Sequence, residues 1–153
     1  MISSSFLSFF ISEIIQEMII KSLPIEKSLH TLGRKIAPYL IELYEFNRDI
    51  DLDSLIYKIT YIFLPHIFTT TRKISKRENI YFISENVPLI MSYMSIPSEG
   101  FSADALIAGI IERVINVTGY ECNVNAYTAP ENGFPRKTIY SIEIIHKEIK
   151  ELF

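Results

Sequence analysis

The apolar residues of this chain change spacing three times: a helical period runs to about residue 64, a strand period follows to residue 84, and the pair then recurs. A helix repeats its buried face every 3.6 residues and a strand every second residue, so each switch marks a change of element. The spacing predicts three helices, a hairpin, a fourth helix and a second hairpin, in the order ααα-ββ-α-ββ. That order defines an α+β domain in which an antiparallel sheet of two hairpins is covered by helices. No repeat, low-complexity run or long linker divides the sequence, and one domain is expected over residues 1–153.

The run FLSFFISEIIQEMIIKSL, Phe6 to Leu23, decides whether a membrane is involved. Glu13, Gln16, Glu17 and Lys21 interrupt it and no positive cluster precedes it, so neither a span nor a signal peptide is expected. Its polar residues recur at three- and four-residue spacing, which makes an amphipathic helix with a wide apolar stripe. Glu17 and Lys21 form a favourable i,i+4 pair, worth roughly 0.3 kcal/mol. The polar face lacks the Lys and Arg of an interfacial membrane helix.

Pro24 suits the first position of a second helix, in which Ile25, Leu29, Leu32, Ile36, Leu40 and Leu43 repeat at helical spacing. Gly33 and Ala37 share a face there and predict a close crossing with another backbone, and Pro38 predicts a kink. Asp51 or Asp53 caps a third helix from Leu52 to Leu64, stopped by Pro65. Hairpin arms Ile67–Ser75 and Ile80–Ser84 flank a turn over Lys76–Asn79. Ser102 caps a fourth helix that ends at Gly119, and Ala103–Ile111 carries only Asp104 as a charge, so this helix should be buried on most sides. Two strands, Glu121–Thr128 and Lys137–His146, flank a loop at Pro130–Pro135.

Chemistry is sparse. The chain has no P-loop, GxSxG or GxGxxG, and His30, His66 and His146 do not fall at metal-binding spacing. No catalytic residue, metal or cofactor is expected. The alternating Asp49, Asp51 and Asp53 lack the Gly and Glu of a calcium loop, and capping explains them. Cys122, the one cysteine, lies on the apolar side of a strand and should be a buried, unreactive thiol. The net charge of −3 argues against nucleic acid as a partner. The basic run Arg72, Lys73, Lys76 and Arg77 reads as a solvated hairpin turn, or as a small patch for anionic lipid or an acidic partner. A hydrophobic content of 48% exceeds what a lone small domain needs and leaves apolar surface for a partner.

Leu29-His-Thr-Leu-Gly-Arg-Lys-Ile-Ala-Pro-Tyr-Leu-Ile-Glu42 resembles a signature of the small core subunits of TRAPP, the transport protein particle. Leu29, Leu32, Gly33, Ile36, Leu40, Ile41 and Glu42 match that signature, while Ala37 replaces its second Gly and Tyr39 stands where Arg is common. The opening helix through Glu13, the run Phe101–Ile111 and Pro135–Ile139 follow in the family's order. Together they look closest to the branch of subunit five.

The resemblance implies helices on one side of a twisted sheet and pairing with a homologous small subunit, chiefly through the first two helices. On this chain the pairing surface would comprise Phe6, Phe10, Ile14, Gly33, Ile36, Ala37, Leu40, Leu43 and Tyr44. It also implies a cytoplasmic assembly, peripheral at the cis-Golgi and ER, that tethers vesicles and promotes exchange on a Rab-type GTPase, with this chain as a non-catalytic end piece. In one family member a cysteine near the start of the third helix is acylated. Asn47–Asp53 has no cysteine, so that property does not carry over. The alternative is a sensor domain of related fold that holds a lipid or small molecule between helices and sheet.

Overall fold

A computed structural model describes residues 4–42, 51–67, 72–86, 104–134 and 137–147. Helix α1 spans Ser4–Ile20 and α2 spans Ile25–Ile41, with Pro24 at the N-cap rather than inside. The continuation of α2 to Leu43 expected from the sequence lies outside the described residues. Helix α3, Leu52–Lys58, is capped by Asp51, whose carboxylate accepts from the Ser54 N–H at 3.1 Å.

Pro65 does not end this helical segment. A π-turn at Ile59–Phe63 leads into α4, Leu64–Ile67. The Leu64 N–H reaches back five residues to the Ile59 carbonyl, and the widened turn accommodates a proline that has no N–H to give. Helix α5, Ala105–Val117, ends at Gly119, whose φ of 104° is the left-handed conformation a terminating glycine supplies. Ser102 lies outside the described residues.

Strands β1 (Arg72–Arg77), β2 (Ile80–Glu85), β3 (Tyr120–Thr128) and β4 (Thr138–Lys147) form one antiparallel sheet in the order β1-β2-β4-β3. The basic run is therefore strand β1 and not a turn. The turn is Glu78-Asn79, with Glu78 at φ 57° and Arg77 paired to Ile80. Contiguous cross-strand pairing outweighs the solvation of four basic side chains, because three of them still reach water from an edge strand.

Tyr81, Ile83 and Glu85 of β2, Cys122 and Val124 of β3, and Thr138, Tyr140 and Ile142 of β4 turn one face inward. Helix α5 lies against β3 on that face and is itself covered by α2. Helix α2 and the sheet thus enclose it, and ten of its residues are buried. Each fully buried Ile or Leu side chain there contributes roughly 1.5–3 kcal/mol. Helices occupy one side of the sheet, as the resemblance implies.

Candidate partner interface

Gly33 and Ala37 are consumed inside the chain. A methyl group at Gly33 would sit 2.1 Å from the Leu106 carbonyl oxygen, and one at Gly109 would sit 2.0 Å from that of His30. The two glycines let the backbones of α2 and α5 touch. The crossing expected from the small-residue face exists, but its second member is α5, so Gly33 and the fully buried Ala37 are not surface for a partner. Helix α5, buried on most sides, fills that face of α2.

Side chains from α2 and α5 clasp this crossing and hold the backbone of β3. Arg34 on α2 donates to Glu112 on α5 at 2.5 Å and to Asn116 at 2.9 Å. His30 donates to the Val124 carbonyl at 3.1 Å and lies 3.6 Å from Glu112, which accepts the Val124 N–H at 3.0 Å. Asn116 donates to the Tyr120 carbonyl at 2.9 Å. The hydrogen bond to Glu112 raises the His30 pKa against the opposing effect of burial. Burial pushes Glu112 up, but His30, the Val124 N–H and Arg34 outweigh it and hold its pKa below the ordinary value. The sequence signal was a single glutamate closing an otherwise apolar run in α5, a charge that burial obliges to find partners.

The clasp also closes a sheet edge. Strand β3 is the outer strand, and the backbone groups of Val124 that point away from β4 are both taken by side chains. At the opposite edge the Ile74 N–H donates to the Tyr61 hydroxyl at 3.3 Å. Edges blocked in this way resist strand addition at those positions.

Arg72 is not part of a surface patch. It is 3% exposed and pairs with the buried Glu85 at 2.9 Å, while Tyr140 donates to Glu85 at 2.6 Å. A buried guanidinium needs a carboxylate, and the pairing of Arg72 with Glu85 across β1 and β2 provides it. Lys73, Lys76 and Arg77 are exposed, and Lys76 lies 3.5 Å from Asp53. Cys122 is buried as expected, and burial pushes its thiol up to about 12.

Open apolar surface lies along α1, where Phe9, Phe10, Ile19 and Ile20 are exposed, and a second group, Tyr57, Tyr61 and Ile62, is exposed on α3 and the π-turn. Ile11, Ile15 and Met18 of α1 face the core, and Phe10 is half-exposed. Helix α1 touches α2 only lightly and leaves a groove of about 590 Å³. Its floor is Ile14, Met18, Leu23 and Leu32, and the surface continues over Phe10. Ile36 and Leu40 are half-buried against the core. The side chain of Phe6, like Leu43 and Tyr44, lies outside the described residues. Among the described residues no group of three or more His, Cys, Asp or Glu is placed to hold a metal, and no helix is long and apolar enough to cross a membrane.

The profile of the transport protein particle (TRAPP) component family matches residues 7–145. This chain belongs to the TRAPP component family. A putative trafficking protein particle complex subunit TRS31 from Encephalitozoon cuniculi is 26% identical over 144 residues, 91% of this chain and 99% of the relative. Trafficking protein particle complex subunit 31 of Saccharomyces cerevisiae is 32% identical over 84 residues, 55% of this chain and 29% of the longer yeast protein. The fold is shared with the crystal structure of TRAPP subunit 3 from Naegleria fowleri, which is covalently bound to palmitic acid. The TM-score is 0.76 at 10% identity, over 96% of this chain and 98% of the other. An H-NOX protein of K. algicida shares the fold more loosely, with a TM-score of 0.56 at 9% identity over 84% of this chain and 68% of the other. This chain thus has the helix–sheet architecture of that TRAPP subunit.

Proposed function

We propose that this chain is a structural, non-catalytic subunit of a trafficking protein particle complex, of the subunit-31 kind its relatives are named for. Within that complex it pairs with a homologous small subunit through α1 and α2, at the surface of Phe10, Ile14, Ile36 and Leu40. The complex tethers vesicles in ER-to-Golgi traffic and acts on a Rab-type GTPase, with this chain as an architectural end piece held in the cytoplasm at the cis-Golgi and ER. The exposed Lys73, Lys76 and Arg77 of β1 are its proposed contact with anionic lipid or an acidic partner.

One observation carries the pairing: α1 leaves Phe9, Phe10, Ile19 and Ile20 exposed beside an apolar groove against α2, while the crossing face of α2 is filled and the sheet edges are blocked at Val124 and Ile74. Tagged purification from the organism's own cells tests the reading. A homologous small subunit should copurify with the wild type, and Phe10→Asp should lose it without lowering the unfolding midpoint, since Phe10 is half-exposed. Retention of the partner by Phe10→Asp would remove this surface from the interface. A copurifying small molecule with no partner protein would favour the sensor alternative.

A further inference from the structure

The groove between α1 and α2 is electrically lopsided. On α1, an adjoining hollow that shares Ile14, Met18 and Leu23 with this floor is bordered by Glu13, Glu17 and Lys21, with Lys21 paired to Glu17 at 3.4 Å, so this side is acidic by one net charge. On the α2 side it is bordered by Lys27 and Lys35. All five border residues are exposed, and no ion pair joins one wall to the other among the described residues. An α-helix with its side chains is about 10–12 Å across. A helix lying on Ile14, Met18 and Leu32 therefore presents one flank to each wall.

The geometry points to an occupant that is an amphipathic helix of mixed flanks: an apolar stripe, a basic flank against Glu13 and Glu17, and an acidic flank against Lys27 and Lys35. This rests on the pairing proposed above and adds its chemistry. The charges also select direction, because turning such a helix end for end exchanges its flanks and sets like charges together. Electrostatic complementarity of this kind chooses partner and register more than it adds affinity. A related subunit with two flanks of one sign would be rejected.

The test uses the full chain and three designed helical peptides that share one leucine stripe. One carries Lys on one flank and Glu on the other, the second Lys on both, and the third Glu on both. By fluorescence anisotropy the mixed peptide should bind the wild type about three- to tenfold more tightly than either uniform one, as expected for a few exposed charge pairs. The variant E13K/E17K should come to prefer the all-Glu peptide, and K27E/K35E the all-Lys peptide. The order should fade at about 1 M salt, where the Debye length is about 3 Å. Equal binding of all three, or an unchanged order in both variants, overturns the polarity. Pairing is read separately by size-exclusion chromatography of the complex with Phe10→Asp. If pairing is lost while the peptide order is absent, only the polarity fails; retained pairing defeats the underlying reading.

Discussion

Arg72 and its neighbour Lys73 are adjacent members of one basic run with opposite fates. Alternation along β1 points Arg72 into the core beside Glu85 and Lys73 out to water. Arg72→Met should leave the buried Glu85 carboxylate without its guanidinium, at a cost of about 3–5 kcal/mol in a denaturant titration. Lys73→Glu should leave the midpoint where it is. His30 makes stability depend on pH. Its raised pKa means that its contribution is fully present below pH 6.5 and is lost as pH rises through the higher folded value. Glu112, lowered from 4.5, contributes above that pH and loses its contribution as pH falls. The clasp is therefore strongest between those limits, and the gap in melting temperature between wild type and His30→Gln should be widest there and shrink toward pH 9. Cys122→Ala should cost on the order of 1 kcal/mol, as a small core truncation does. The native thiol should resist alkylation until denaturant exposes it, because the thiolate is scarce at physiological pH.

At the scale of elements, the crossing of α2 on α5 is the joint that holds the layers together. Gly109→Ala gains up to about 1 kcal/mol of helix propensity. It also forces a carbon against the His30 carbonyl, and overpacking of that kind costs roughly 1–3 kcal/mol or more when the obstacle is backbone. The clash should win and lower the melting temperature. Gly33→Ala should behave likewise, and the double variant should lose less than the sum of the two, because one separation of the helices relieves both clashes. Helix α1 has no such joint with α2, and this leaves it free to offer a surface.

For the whole molecule, the layers set what the chain can do unaided. The sheet is covered on its inner face, its edges are capped at Val124 and Ile74, and Gly33 and Ala37 are spent internally. The purified chain alone should not accelerate release of a fluorescent nucleotide from a Rab-type GTPase, whereas the assembled complex should. Acceleration by the single chain would overturn the architectural reading.

Sequence by itself determined the elements and their order, because period, capping and turn chemistry are local: Asp51 before α3, Gly119 after α5, the alternation around Cys122. It also showed that α2 must meet another backbone at Gly33 and Ala37. Tertiary structure alone decided which backbone, since several apolar helices were available and only packing ranks them. The joining of β2 to β4, which makes one sheet of two hairpins, is likewise a pairing of distant residues that no local pattern encodes. The turn was misplaced for the same reason. Four basic residues look like a solvated loop until Glu85 is brought beside Arg72, and that depends on cross-strand register. The clasp of His30, Arg34 and Glu112 was invisible because its members lie on two helices and act on a third element. Burial creates its energetics, and burial belongs to the folded whole.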